Sequence, residues 1–457
     1  MTKDLNNVLD QLTVLINAKH YEQAKKICGE YLEKYPDNVY LLSILATVYR
    51  FEGKIDKAEE VLIRTIEIDP NHLPALNELG IIYSERGKMD DAITILKKAI
   101  ELNPAWLPSL IELSIIYRKK GDLNLAIDIL RKALVIDPQS LPVLNELGIN
   151  YRAASNFDSA IAALQKALEI DPNYAPSLNQ LGITYRERKY SGDIDLAINS
   201  FVKAIEVAPN KFATISNLAA AYRDIGEMEK AQELLQEVLR MNPKNVAAIS
   251  NLAAVYRDMG KFVQAREILL NALEIDPKNI VAISNLAAVY RDMGQLDRAE
   301  EMLLRATNLN PNNFATVSNL AAVYRDLGKL DDAEKLLIRT LEAQRKKYSK
   351  ENPVIARTYN SLAAVLIDKG DYHKATELLE RALSIYTLYD VQDSGKFNLL
   401  ANLATLCYTM GSTKRAITYI DEAKVGALQH LGENNPNTKH ILDLHSKITA
   451  KTYDKAK

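Results

Sequence analysis

The sequence predicts an all-α fold, a solenoid of stacked helix-turn-helix hairpins, and three observations carry that expectation. Nine prolines, Pro36, Pro70, Pro104, Pro138, Pro172, Pro209, Pro243, Pro277 and Pro311, follow one another at intervals of 34 residues, with one interval of 37 between Pro172 and Pro209. Between the prolines, apolar residues recur at helical spacing in two stripes separated by a turn. No flexible linker interrupts the period, since glycine and proline number only 17 and 15 in 457 residues and most mark hairpin turns. A single globular core has no need of one residue type at so strict a period. A stack of like hairpins does, because each must end where its neighbour begins.

The elements follow in order. A first unit occupies residues 1–36, and five more fill 39–211. Leu73 to Trp106 serves as the type unit. Leu76, Leu79, Gly80 and Tyr83, at unit positions 4, 7, 8 and 11, form one stripe of a first helix. Gly87 at position 15 permits the turn, and Ala92, Leu96 and Ala99 form the stripe of a second helix that Pro104 closes. Small Gly80 and Ala92 allow close approach of the two helices, and Tyr83 fills the wedge between hairpins. The sixth unit carries three extra residues within Arg188-Lys189-Tyr190-Ser191-Gly192-Asp193, read as a surface loop near 188–193. Units seven to ten span 212–347. Two longer units follow over 348–436, since Pro311 to Pro353 is 42 residues and Pro353 to Pro436 is 83. Leu362, Ala363, Gly370, Ala375 and Ala382 hold the register in the eleventh, and Leu403, Ala404, Gly411, Ala416 and Ala423 in the twelfth. A polar last helix over 437–457 would cap the stack, because a terminal face must meet water.

The pattern resembles the tetratricopeptide repeat, at its signature positions and at its length. It recurs with Leu113, Tyr117, Gly121, Ala126 and Pro138, and with Leu252, Ala253, Tyr256, Gly260, Ala265 and Pro277, in twelve units covering nearly the whole chain. The resemblance implies a right-handed superhelix with a concave groove lined by first helices. The two longer units, with Asn352-Pro353 before a first helix, resemble those of the kinesin light chain.

Composition narrows the function. Lys+Arg 57 against Asp+Glu 59 leaves a formal charge of −2, so no basic field advertises nucleic acid or an anionic membrane. The start, MTKDLNNVLDQL, reads as neither secretory signal nor anchor, and no run approaches the ~18 apolar residues of a membrane span. Only Cys28 and Cys407 are present, which excludes a disulfide framework and points to the reducing cytoplasm. There is no phosphate-binding loop, no G-x-S-x-G and no clustered nucleophile and base, so no catalytic residue and no cofactor is expected. His440 and His445 are five apart, not the four that place two ligands on one helix face, and no metal is expected.

On each first helix, positions 2, 5, 6, 9, 12 and 13 lie opposite the packing stripe. Four consecutive units repeat that face without change. Ser216-Asn217, Ser250-Asn251, Ser284-Asn285 and Ser318-Asn319 are each followed by Leu-Ala-Ala, and then by Arg223-Asp224, Arg257-Asp258, Arg291-Asp292 and Arg325-Asp326. Their second helices, MEKAQELLQEVLRM, FVQAREILLNALEI, LDRAEEMLLRATNL and LDDAEKLLIRTLEA, share little beyond the core positions. A shared partner explains a constant face over changing helices; duplication, or hydrogen bonds between repeats, remain open as alternatives. An asparagine amide both donates and accepts, so Asn217, Asn251, Asn285 and Asn319 suit the backbone of an extended peptide. With helices about 8–10 Å apart and about 3.3 Å per extended residue, one asparagine meets roughly every third residue. Ser216, Ser250, Ser284 and Ser318, with Ala220, Ala254, Ala288 and Ala322, keep the floor low. The asparagine ladder resembles that of the O-linked N-acetylglucosamine transferase repeat region, without any likeness to its catalytic domain. Lys and Asn at positions 5 and 9, the carboxylate clamp of chaperone-binding tetratricopeptide domains, are absent from units seven to ten.

A second ladder stands at position 12: Arg50, Arg118, Arg152, Arg186, Arg223, Arg257, Arg291 and Arg325. Guanidinium forks suit a partner's carboxylates or phosphates, unless neighbouring aspartates already neutralise them. Lys119 and Ala153 follow Arg118 and Arg152 where later units have an acid, so these two are expected to be free cations. Ile81, Ile115, Ile149 and Ile183 at position 9 form an apolar ladder, to be covered by a partner or buried by curvature. The expected function is a non-catalytic scaffold holding an extended protein segment, one with acidic groups if the arginines are free. Self-association is compatible with the sequence. The alternatives are a nucleic-acid-binding helical repeat, which the charge disfavours, and a separately encoded regulatory subunit of an enzyme.

Overall fold

A computed structural model describes residues 3–188, 192–209, 211–311, 313–347, 352–388, 394–433 and 435–455. Lys189, Tyr190 and Ser191 of the sixth-unit insertion lie outside the described residues. Among the described residues there are 25 helices and no strand. The chain forms two compact units, Met1–Leu181 and Gly182–Lys457. The first holds α1 (Lys3–Asn17), α2 (Tyr21–Lys34), α3 (Val39–Phe51), α4 (Ile55–Ile68), α5 (Leu73–Glu85), α6 (Met89–Leu102), α7 (Leu107–Lys120), α8 (Leu123–Ile136), α9 (Leu141–Ala153) and α10 (Phe157–Ile170). The division falls within α11 (Ala175–Arg188). The second continues with α12 (Asp193–Val207), α13 (Phe212–Asp224), α14 (Met228–Met241), α15 (Val246–Asp258), α16 (Phe262–Ile275), α17 (Ile280–Asp292), α18 (Leu296–Leu309), α19 (Phe314–Asp326) and α20 (Leu330–Lys347). It ends with α21 (Pro353–Asp368), α22 (Tyr372–Leu388), α23 (Ser394–Thr409), α24 (Thr413–Leu431) and α25 (Pro436–Lys455). No helix among the described residues is long and apolar enough to cross a membrane.

The prolines act through the residue before them. Asp69, Asp137 and Asp171 end α4, α8 and α10 in extended conformation, because a following proline ring excludes the helical one. Their carboxylates then hold the turn: Asp69 accepts from the Asn71 N–H at 3.0 Å, and Asp137 from that of Gln139 at 3.0 Å. The next helix is started by a cap or by proline. Asn38 Oδ1 accepts from the N–H groups of Tyr40 and Leu41, at 3.1 and 3.0 Å, while α5, α7 and α9 carry a proline in the first turn.

Each hairpin closes by close approach. A Cβ on Gly148 would stand 2.6 Å from Leu164 Cγ, and one on Gly182 2.6 Å from the Phe201 ring, so glycine is what lets first and second helices meet. The hairpins are then sealed to one another by apolar clusters that draw on successive units. Ala46, Ala58, Leu62, Ala75, Leu79 and Ile82 join α3, α4 and α5, all essentially inaccessible. Each such leucine contributes about 2 kcal/mol by leaving water. Cys28 belongs to the first of these clusters, and burial pushes its thiol up to about 12. In the second unit the start of α25 returns to the end of α13, where Asn435 Nδ2 donates to the Asp224 carbonyl at 3.3 Å.

The turn inside each hairpin needs a left-handed residue. Gly87 (φ +76°) and Gly121 (φ +90°) supply it, whereas in α9–α10 the place falls to Ser155 at φ +59°. An L side chain in that region costs about 1 kcal/mol or more. Ser155→Gly should therefore raise the stability of the first unit by about 1 kcal/mol, and Gly87→Ala should lower it by a similar ~1 kcal/mol. Urea unfolding followed by circular dichroism measures both, and a shift of the same sign for the two variants contradicts this account of the turn.

Candidate functional site

First helices of successive hairpins touch in both units: α3 with α5, α5 with α7 and α7 with α9 in one, α13 with α15, α15 with α17 and α17 with α19 in the other. Within each unit, then, like positions on their outward arc stack into ladders. The position-12 arginines turn out to be rungs of the stack itself. Arg50 Nε lies 2.6 Å from a Glu78 carboxylate oxygen, and its Nη1 3.2 Å from Glu85. Arg118 pairs with Glu146 at 2.5 Å, and Arg152 donates to Gln180 Oε1 at 3.2 Å. In the second unit the acceptor is the acid at the end of the next first helix. Arg186 meets Asp224, and Arg223 meets Asp258, both at 2.6 Å. Arg257 meets Asp292 at 3.1 Å, Arg291 meets Asp326 at 2.5 Å, and Arg325 meets Asp368 at 3.4 Å.

Arg118 and Arg152 are therefore not the free cations that Lys119 and Ala153 beside them suggest. Their acceptors, Glu146 and Gln180, stand at position 6 of the following hairpin, on the same face as the acid found later in the chain but about two turns nearer the helix start. A carboxylate or phosphate of a partner would have to displace a charge-assisted bond already made.

The serine–asparagine face divides by depth. Ser216 and Ser250 are buried. Ser284 shares a 3.2 Å hydrogen bond with Thr316 of the next hairpin, a bond of the same kind as Ser109 to Asn77 and Ser177 to Asn145 in the first unit. Ser318 is half-buried. Asn217, Asn251 and Asn285 are half-buried and Asn319 is exposed. Asn285 Nδ2 donates to the Ser250 carbonyl at 3.1 Å, so one rung of the asparagine ladder also binds hairpin to hairpin. Asn251 and Asn319 make no side-chain hydrogen bond among the described residues. Ile81, Ile115 and Ile149 in the first unit, and Ile183 in the second, are all half-buried rather than sealed by curvature.

One group on this face goes beyond the ladders expected from sequence. Position 6 carries Glu78, Glu112 and Glu146 in three successive hairpins of the first unit. Glu78 and Glu146 have their arginines, but the residue that would serve Glu112 is Ser84, at position 12 of α5. Lys119 instead reaches the Ser84 hydroxyl at 2.9 Å. Burial, and then the Glu146 carboxylate, push the Glu112 carboxyl above the usual carboxylate range, with Lys119 and Arg50 opposing them. The signal was available in the sequence as a serine where eight other units have arginine, opposite a glutamate one unit on.

Sequence profiles of the tetratricopeptide repeat match residues 41–105 and 313–387, 107–140, 142–174, 163–198, and 190–256, 226–274 and 256–315. No curated relative matches the chain by sequence. Among solved structures, the crystal structure of an APC/C hetero-tetramer, Cut9–Hcn1, aligns with a TM-score of 0.47 and 14% identity over 98% of this chain and 94% of that one. A likeness that distant says nothing of function.

Two stability measurements test the rungs. Arg118→Ala leaves the buried Glu146 carboxylate unpaired and should cost about 2 kcal/mol, against under about 1 kcal/mol for Arg291→Ala, whose pair is more exposed. Urea midpoints rank the two. Glu112→Gln should act in the opposite direction. Because the folded carboxyl is raised, its ionised form is disfavoured, and that penalty is present above the folded value and absent once both states are protonated. The variant is expected to be more stable than the parent at pH 8 and equal to it below about pH 4; a loss of stability at pH 8 contradicts the assignment.

Proposed function

The chain belongs to the tetratricopeptide-repeat family, and from that premise we propose that it is a non-catalytic scaffold whose first-helix faces hold an extended segment of a partner protein. The observation that carries this reading is the repeated face of α13, α15, α17 and α19. Four Ser-Asn pairs recur there over second helices that differ, and Asn251 and Asn319 retain amides with no hydrogen bond inside the protein among the described residues. An exposed or half-exposed amide can accept a peptide N–H and donate to a peptide carbonyl without reading the side chain. Such contacts are individually weak, and a segment spanning several of them gains from their being linked. In the first unit, half-buried Ile81, Ile115 and Ile149 give the corresponding arc an apolar surface of its own.

The arginine pairing supports a particular version of this reading. Acidic groups are expected in the partner only if the arginines are free of the neighbouring aspartates. With each of Arg186, Arg223, Arg257, Arg291 and Arg325 committed to an aspartate, the case for an acidic partner, and equally for nucleic acid, loses its main support. A backbone-binding groove of near-neutral balance fits the pairing better.

Panning the immobilised full chain against a phage-displayed library of random linear peptides of about ten residues, long enough to cross several rungs, tests the proposal. The parent is expected to enrich linear peptides, and a variant with Asn217, Asn251, Asn285 and Asn319 all changed to alanine, its helicity unchanged by circular dichroism, to bind them at least about tenfold more weakly. Equal binding by the two proteins would sink the asparagine ladder as a peptide site.

A further inference from the structure

Along the first unit, the position-6 side chain of each hairpin from α5 to α11 faces position 12 of the hairpin before it. Three of those four places are filled from within: Glu78 by Arg50, Glu146 by Arg118 and Gln180 by Arg152. The fourth, Glu112 on α7 opposite Ser84 on α5, is not. Ser84 is itself buried, its hydroxyl taken by Lys119, and Arg50 is committed to Glu78 and Glu85. Among the described residues no basic group comes within 4.0 Å of the Glu112 carboxylate, and no hydrogen bond to it is made.

The protein's own rungs show what a carboxylate at this position binds, since Arg50 reaches Glu78 with a guanidinium nitrogen at 2.6 Å. We propose that Glu112 takes the guanidinium of an arginine side chain from the bound partner segment, which completes the missing rung from outside. Ile81 and Ile115 stand at position 9 of the two hairpins concerned, and Ile115 lies one turn from Glu112 on the same helix, so the arginine would be flanked by apolar contacts. Such surroundings exclude water from an ion pair and strengthen it. A carboxylate held partly out of water with no ion-pair contact is disfavoured, as the raised Glu112 carboxyl reflects despite the more distant Lys119 and Arg50, and an incoming cation relieves that penalty. Arginine is favoured over lysine because its planar fork can bind the carboxylate while lying against an aliphatic side chain. The inference deepens the groove reading and depends on it, while concerning a different part of the chain from the asparagine ladder.

The same random linear library provides the test, with the full chain as bait. A class of the peptides enriched on the parent is expected to carry a basic residue at one fixed position, and selections on Glu112→Gln and on Ser84→Arg to lack that class. The first variant removes the carboxylate, and the second supplies the guanidinium from the chain itself; circular dichroism establishes that both fold. For one recovered peptide, replacing its arginine by citrulline should weaken binding to the parent by about tenfold or more in fluorescence anisotropy, and should change nothing on Glu112→Gln. Absence of any such class among the enriched peptides, or a basic preference that survives Glu112→Gln, overturns the inference while leaving the groove reading in place. Failure to enrich any peptide overturns both.

Discussion

A helical hairpin cannot bury its apolar stripe against itself, and everything else in this protein follows from the need to hand that stripe to a neighbour. The seam between hairpins is where the leucines and alanines are sealed, as in the cluster that runs from Ala46 to Ile82. It is also where most of the polar side chains of the first helices are spent. Arginine at position 12 reaches forward to an acid, serine or asparagine at position 5 reaches forward to position 3, and Asn285 reaches back to the Ser250 carbonyl. A residue type repeated on a potential binding face is thus first of all a candidate for joining repeats.

That competition shapes what the face can do. In α13 to α19 the acid that neutralises each arginine sits at the helix end, which leaves position 6 to asparagine, and in α15 and α19 that amide makes no hydrogen bond among the described residues. In α5 to α9 the acid occupies position 6 itself, so the place that would carry an amide carries a carboxylate instead. The two arrangements satisfy the same arginine and present different chemistry to a partner. The exception at Ser84 and Glu112 exposes the rule, because the carboxylate is kept while its cation is missing.

Much of this was legible in the residues. Glycine at the left-handed turn and small residues at the crossing are local requirements, and Gly87 and Gly80 each meet theirs as read. The candidate site was less legible. Asn251, Asn319 and Ile115 remain at least partly exposed, but Arg118 and Arg152 are paired rather than free. A search for the counter-charge at the adjacent residue looks along one helix, whereas these side chains extend across to the next.

By itself the sequence determined the period, the hairpins and the arc of each first helix that faces away from the packing stripe, because helix geometry and proline stereochemistry act within a few residues. Tertiary structure alone decided which acceptor each arginine takes, and that Glu112 has no ion-pair contact among the described residues. Those partners stand 28 residues apart for Arg50 and Glu78 and 35 for Arg223 and Asp258, and whether they meet depends on how one hairpin is offset along the next. That offset is set by the interlocking of buried side chains across the seam, a property of the stack and of no single repeat.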